Sequence, residues 1–162
     1  MDPEIGTLTD ERSGSVRVAL ANSMMGIMKE FYGKGPTGAK AWLLDDYVFV
    51  SDGLLELYLA AGSSEWLDEA RELMDAVEDL FGDADAGGCF LTARDHEPLI
   101  VRLKSGYDRA IPAGNGVAVR VLLRLAQLTN EPIWRARART ALEAFLPIMA
   151  SSPRAAESLV LA

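Results

Sequence analysis

Three carboxylates along one predicted helix have the spacing needed for acid/base chemistry. Asp45, Asp52 and Glu56 are seven and four residues apart, and at about 100° per residue they share one narrow stripe of a helix. Glycoside hydrolysis uses such a carboxylate pair, one as general acid and the other as base or nucleophile. The solvated face of a structural helix gives the same pattern. These three residues alone leave both interpretations open.

Few other residues of the chain are of the types that usually carry chemistry. We interpret the one histidine, His96, as a solvated loop residue, and the one cysteine, Cys89, as a buried inert thiol within an apolar run. One His and one Cys make a zinc site improbable, and the chain has no nucleotide-binding or metalloprotease motif. The sequence therefore predicts neither a metal nor a cofactor.

Length, composition and charge narrow the classes of function. The 162 residues suit one domain, and 49% apolar with 25% charged residues excludes a wholly disordered chain. A net charge of -8 gains no attraction from a phosphate backbone, so we expect no nucleic-acid partner. No apolar run approaches the roughly 18 residues of a spanning helix, and the N-terminus carries acids where a signal peptide carries bases. We expect a cytoplasmic protein without a membrane partner.

Periodicity predicts helices with little strand, and these helices form a repeat. A shift of 68 positions aligns residues 54–74 with residues 122–142, with six identities that include Trp66 on Trp134. Self-similarity at a fixed spacing is typical of repeat architectures, in which each unit buries its faces against its neighbours. Each unit is predicted to be an αα-hairpin, made of a mostly buried inner helix, a tight turn and an amphipathic outer helix.

The predicted fold class is therefore all-α, built from αα-hairpin repeats. A small β-hairpin is expected in the long connection, between the runs GGCFLT and LIVRLK. Residues 46–61 and 115–128 should be parallel neighbouring inner helices, with 65–81 and 132–150 as outer helices. The chain is predicted to be a single helical domain, 1–162, with an N-terminal helix (9–32), a first hairpin (43–81), a connection (82–113), a second hairpin (114–151) and the start of a third repeat (153–162).

The repeat also predicts how the two inner helices meet. The shift places Arg120 at the position equivalent to Asp52, and Arg124 at the position equivalent to Glu56. Parallel neighbours in this register bring acids against bases. The pattern therefore favours a structural ion-pair ladder over an acid/base pair at Asp52 and Glu56.

Several stretches resemble the C-terminal part of the spermatogenesis-associated, thioredoxin-domain-containing family. In collinear order over roughly residues 38–162, they are LLDDYVFVSDGLLELYLAAGSSEWLDEA, AGGCFLT, VRLK, YDRAIPAGNGVAVRVLLRLAQLT and SPRAAESLVLA. In that family a thioredoxin-like domain precedes an (α/α)6 toroid, similar to those of six-hairpin glycosidases and N-acylglucosamine 2-epimerases. The resemblance implies a partial (α/α) toroid, truncated and without the thioredoxin-like domain. Where the family usually has YDGAIPSGNS, this chain carries Arg109, Ala113 and Gly116.

The repeat predicts one location for a ligand site. Because the shift places Tyr47 on Asn115, the LDDY and IPAGN segments should lie together at the N-terminal mouth of successive inner helices. Helix N-termini present unpaired N–H groups and partial positive charge, which suit hydroxyl-rich or anionic ligands. The predicted ligand-binding residues are Trp42, Asp45, Asp46, Tyr47, Tyr107, Asp108 and Asn115. Trp42 would stack on a sugar ring, and Asp46 and Asp108 are the candidates for catalysis. The alternative is that Asp46 and Asn115 cap their helices and Asp108 ties down the long loop.

Two classes of function fit these observations. One is a carbohydrate-active enzyme or sugar-binding protein, glycosidase- or epimerase-like, with its site at the mouth; this rests on analogy of fold. The other is a helical module that is non-catalytic as a monomer and acts through self-association or partner binding. A closed catalytic ring needs more hairpins than this sequence contains, which favours the second class for the monomer. Apolar faces left uncovered at both ends of the layer predict a two-fold homodimer through residues 9–32 or the C-terminal LVLA.

Overall fold

The computed structural model describes residues 43–95 and 100–162, and most of these residues are helical. The helices are α1 (Leu44–Ala61), α2 (Ser64–Phe81), α3 (Gly114–Thr129), α4 (Pro132–Ser151) and α5 (Glu157–Val160), with a 3-10 helix (Pro153–Ala156) just before α5. The prediction of an all-α fold built from αα-hairpins is confirmed. Within the described ranges, no helix combines the length and the apolar character that crossing a membrane requires.

Three predicted features lie outside the described residues. They are the N-terminal helix over 9–32, the stacking residue Trp42 and the loop residue His96.

Tight turns close both hairpins. Gly62 follows α1 with a φ of 73°, and Asn130 follows α3 with a φ of 58°. Glycine and asparagine adopt this left-handed conformation at the lowest cost, so both helices end at these residues. Pro132 begins α4, at a position where the missing N–H removes no helical hydrogen bond. As a result α1 packs against α2, and α3 packs against α4.

The inner helices α1 and α3 are parallel neighbours. Ion pairs join Asp52 to Arg120 and Glu56 to Arg124, so four residues along one helix correspond to four residues along the other in the same direction. The parallel register predicted from the 68-residue repeat is confirmed by these pairs.

The outer helices are linked across the two repeats by a second set of ion pairs. Arg137 Nη1 lies 2.7 Å from Asp75 Oδ1, and Arg71 Nη2 lies 2.7 Å from Glu131 Oε1. The other oxygen of Glu131 accepts a 3.0 Å hydrogen bond from the indole of Trp134. Trp134 is buried, and this hydrogen bond connects it to the charged contact between the repeats.

The apolar core lies between the inner and outer helices. The Tyr47 ring meets the Phe81 ring edge-on, with centroids 5.1 Å apart, and joins α1 to the end of α2. Leu159 is also fully buried, so α5 packs its apolar side on the second repeat although it is only four residues long.

The long connection differs from the predicted β-hairpin. The two apolar runs meet through one main-chain hydrogen bond, from Leu91 N to Leu103 O at 2.7 Å. Apart from two isolated bridges, the described part of the connection has no strand pairing. The reason is that the side-chain amide of Asn115 bonds both Cys89 and Ser105, where a ladder would otherwise continue.

Candidate functional site

The N-terminal ends of α1 and α3 lie side by side, as the repeat predicts. We call the region formed by residues 43–47, 105–109 and 113–116 the mouth. Gly114 makes this approach close, because a Cβ added there would overlap Asp45 Oδ1 and the side chain of Leu44. The LDDY and IPAGN segments therefore meet at one end of the helical layer.

Asp46 has the role of a helix cap. Its Oδ2 accepts a 3.2 Å hydrogen bond from the main-chain N–H of Leu43, the residue before α1. A carboxylate in the first turn also interacts favourably with the helix dipole. This geometry matches the capping alternative for Asp46.

Asp45 is in a different environment from its neighbour. Its Oδ1 is buried against Gly114 and has no hydrogen-bond partner among the described residues. Burial raises the pKa of Asp45, and the adjacent Asp46 carboxylate raises that pKa further. Asp45 is thus a predicted site residue with a carboxylate oxygen that accepts no hydrogen bond from the described protein groups.

The two tyrosines of the predicted site are placed differently. Tyr47 is fully buried in the core against Phe81, whereas the Tyr107 side chain is 46% exposed in the loop before α3. Tyr107 is thus accessible at the mouth. Tyr47 contributes to the packing of α1 on α2.

Asp108 joins three segments. Its Oδ1 accepts hydrogen bonds from Ala113 N at 2.7 Å and from the Ser158 hydroxyl at 2.5 Å, and its Oδ2 accepts one from Ser158 N at 2.8 Å. Burial would raise the pKa of Asp108, but the hydrogen bonds from Ser158, Ala113 and Glu157 outweigh this effect and lower it. The carboxylate holds the loop to the start of α3 and attaches α5 to both.

Asn115 does not cap a helix. Its buried side chain links two runs of the connection to α3, a role that we call the bracket. It is fully buried, and residue Ala113 occupies the N-cap position of α3 without a side-chain bond. The Asn115 Oδ1 accepts from Cys89 N at 2.8 Å, and its Nδ2 donates to Cys89 O at 2.9 Å and to Ser105 O at 3.0 Å. Both runs of the connection are thereby fixed to α3.

Two cations of the VRLK run, which are not among the predicted site residues, anchor the connection. Lys104 donates to Asp83 Oδ2 at 2.7 Å and to Gly87 O at 2.9 Å. The Arg102 guanidinium bonds Thr92 O and lies 4.2 Å from the Phe90 ring centroid. The sequence signal for this anchoring is the alternation of cations with apolar residues in the run. Because alternate residues of an extended chain point to opposite sides, both cations face the same way.

The stripe of carboxylates on α1 forms the predicted ladder with α3. Arg124 lies 3.0 Å from Asp52 and 2.8 Å from Glu56, so it bridges both acids, and Arg120 lies 2.7 Å from Asp52. Each acid therefore has a cationic partner, which supports the structural interpretation of Asp52 and Glu56. Asp45, the third acid of the stripe, lies outside this network.

Cys89 is buried, and its thiol is free of any disulfide. Burial, helped by the nearby Glu78 carboxylate, raises the pKa of Cys89 to about 12. A thiol that stays protonated is a poor nucleophile, which agrees with the inert interpretation. In the two described ranges, no three His, Cys, Asp or Glu side chains are grouped so that they could hold a metal.

Exposed apolar side chains follow the connection around the mouth. Val101 and Leu103 are each 64% exposed, because Arg102 and Lys104 point inward between them. The set, here called the apolar rim, consists of Leu43, Val101, Leu103, Tyr107 and Ile111.

These features define a class: an all-α protein of αα-hairpin repeats whose mouth is crossed by a long connection held by buried polar side chains. No family model matches the chain. Two curated relatives are both named spermatogenesis-associated protein 20. The rat protein is 39% identical and the human protein 38% identical over 118 residues, 72% of this chain and 15% of theirs. An uncharacterised Caenorhabditis elegans protein is 32% identical over 94 residues, 58% of this chain and 13% of its own.

This homology supports the family that the sequence motifs indicate. The chain matches only about 15% of the length of the spermatogenesis-associated proteins, so it corresponds to one portion of them.

Proposed function

We propose that this chain is a helical-repeat module that is non-catalytic as a monomer and acts through self-association or binding of a partner protein. The observation that carries the proposal is how the polar groups of the mouth are used. Asp46 caps α1, Asp108 fixes α5 and the loop, and Asn115 brackets the connection. Groups committed to holding the structure are not free to transfer protons to a substrate.

The apolar rim supports the same proposal. Its side chains are exposed although the sequence offers cations at neighbouring positions that could have faced solvent instead. Exposed apolar groups gathered around one feature are typical of interaction surfaces. We propose a two-fold homodimer, with the rim or the C-terminal LVLA in its interface, and an N-terminal segment, 9–32, as the other candidate contact.

The wider architecture belongs to this proposal as well. We infer a single domain over residues 1–162 that corresponds to part of an (α/α) toroid, located in the cytoplasm. The support is the hairpin repeat, the parallel inner helices and the homology with one portion of much longer proteins.

Light scattering after size-exclusion chromatography tests the self-association. A mass near twice 17.5 kDa at micromolar concentration is the expected result, and a mass of 17.5 kDa throughout contradicts it. With the rim in the interface, Leu103→Lys shifts the mass toward the monomer, and an unchanged mass assigns the interface to LVLA or residues 9–32. Ile133→Lys is the matched control, because Ile133 is 48% exposed on the outer helix α4, away from the rim.

A second function, binding of a carbohydrate at the mouth, is favoured by one observation. Asp45 Oδ1 is a buried acceptor without a protein donor in the described part of the chain, and a ligand hydroxyl would satisfy it once the segments at Gly114 move apart. A thermal-shift screen with sugars tests this, and Asp45→Asn should abolish any shift found. A sugar whose effect survives both Asp45→Asn and Tyr107→Ala would bind elsewhere.

A further inference from the structure

Two exposed arginines lie at the mouth or on the segment bonded to it. Arg109 and Arg154 are both exposed, and neither forms an ion pair within the described residues. The bases that do form ion pairs there are Arg71, Lys104, Arg120, Arg124 and Arg137. Arg94, Arg102, Arg135 and Arg139 also form no ion pair there, so Arg109 and Arg154 are distinguished by the contact between their segments.

The main chain keeps these two residues close together. Asp108 N donates a 2.7 Å hydrogen bond to Ala155 O, Arg109 directly follows Asp108, and Arg154 directly precedes Ala155. The Asp108 carboxylate also bonds Ser158 through both oxygens. Both arginines therefore extend from segments that are fixed to each other.

The neighbouring acids leave the positive charge available. Asp108 already accepts hydrogen bonds from Ala113 and Ser158, and its side chain is directed into that network. Glu157 is exposed and forms no ion pair with Arg109 or Arg154 within the described chain.

We propose that Arg109 and Arg154 form an anion site for a small phosphorylated molecule, with the exposed ring of Tyr107 beside it to contact the rest of the ligand. Guanidinium groups bind phosphate through paired hydrogen bonds, and two of them match its double charge. The net charge of -8 repels a long polyanion, so the ligand is a small molecule and not a nucleic acid.

Titration of the full chain with inorganic phosphate tests the site. The ionic strength is kept constant with chloride, and the arginine side-chain N–H signals are followed by NMR. We expect saturable shifts for Arg109 and Arg154, and a dissociation constant about tenfold weaker in Arg109→Gly or Arg154→Gln, since each removes charge-assisted hydrogen bonds. Arg135→Gln, on the exposed side of α4, is the matched control and should bind phosphate like the unmodified chain.

Unchanged circular dichroism of the variants shows that the fold is retained, so weaker binding then reports the site. Absence of saturable shifts overturns the proposal, as does equal weakening by Arg135→Gln. Glucose, titrated in the same way, separates the anion site from the carbohydrate function proposed above. Phosphate binding without glucose binding supports the anion site, and glucose binding without phosphate binding overturns it.

Discussion

Single residues determine how the connection lies over the inner helices, and Asn115 is the clearest example. A fully buried amide is costly unless its donors and acceptor are all used, and here they bond Cys89 and Ser105. The side chain substitutes for the strand pairing that the apolar runs alone would suggest.

Replacing Asn115 by alanine should destabilise the protein by about 2–4 kcal/mol, because it leaves buried main-chain groups of Cys89 and Ser105 without partners. Urea unfolding followed by circular dichroism measures this change. Asn130→Gly is the matched control, since Asn130 lies in an exposed left-handed turn where glycine is equally suitable. Equal losses for the two variants would mean that the bracket contributes nothing beyond an ordinary asparagine.

The roles of these residues differ in how far the sequence could predict them. The cap at Asp46 depends on Leu43, three residues away, and a local pattern indicates it. The bracket at Asn115 depends on Cys89, 26 residues away, and the burial of Asp45 depends on Gly114 in the other repeat. The repeat places the two helix starts side by side but gives neither the side-chain contacts there nor the path of the connection, so capping was the natural alternative for Asn115.

At the scale of helices, glycine positions determine how closely the inner helices approach. Gly114 faces Asp45 and Leu44 across the two repeats, and Gly116 faces Ser158 of α5. In both cases an added Cβ would overlap the neighbouring segment. Small residues in the first turn of α3 therefore let the elements on both sides pack against it.

Gly114→Ala and Gly53→Ala should have opposite effects on stability. The new methyl group at position 114 must displace Asp45 or Leu44, which should cost about 1–3 kcal/mol. At position 53, on the exposed side of α1, nothing lies within 4 Å, and alanine should stabilise the helix by about 0.5–1 kcal/mol. Thermal unfolding of both variants provides the comparison, and stabilisation by Gly114→Ala would refute the close contact.

The charged ladder could be predicted from sequence because the repeat supplied the register that single helices lack. Opposite charges at equivalent positions 68 residues apart can meet only if the inner helices are parallel neighbours. What the sequence could not show is that Arg124 serves both Asp52 and Glu56. That bridging depends on side-chain conformation as well as register.

A double-mutant cycle should detect this difference within the ladder. Asp52→Asn with Arg124→Gln should show a coupling energy of about 0.5–1 kcal/mol, because both side chains are about four-fifths buried. Glu56→Gln with Arg124→Gln should show less, about 0–0.5 kcal/mol, since the Glu56 side chain is 68% exposed. Coupling that is stronger for the Glu56 pair would contradict the structure, and the coupling for both pairs should fall in high salt.

At the scale of the molecule, as far as the structure describes it, the two repeats and α5 come together at the mouth, which contains carboxylates in two contrasting environments. Asp45 is desolvated against the neighbouring repeat without a donor, and its pKa is raised. Asp108 receives hydrogen bonds from Ala113 before α3 and from Ser158 of α5, and its pKa is lowered. The mouth therefore disfavours the negative charge of Asp45 and favours that of Asp108. As a result, the two carboxylates should change the pH dependence of the stability in opposite directions.

Asp45→Asn and Asp108→Asn should separate these two terms when unfolding is measured between pH 3 and 7. Asp45 contributes most below its unfolded pKa of about 4 and loses that contribution as the pH rises through its higher folded pKa, so the stability of Asp45→Asn relative to the unmodified protein should increase with pH. The contribution of Asp108 is present above about pH 4 and is lost as the pH falls through its lower folded pKa, so the deficit of Asp108→Asn should be largest near neutrality and shrink in acid. The two variants also serve as controls for each other. Any general loss of stability in acid affects both variants, so it cancels when their stabilities are compared at each pH. Parallel pH curves for both variants would show that the mouth does not distinguish the two carboxylates, and would remove the physical basis for treating Asp45 as available to a ligand.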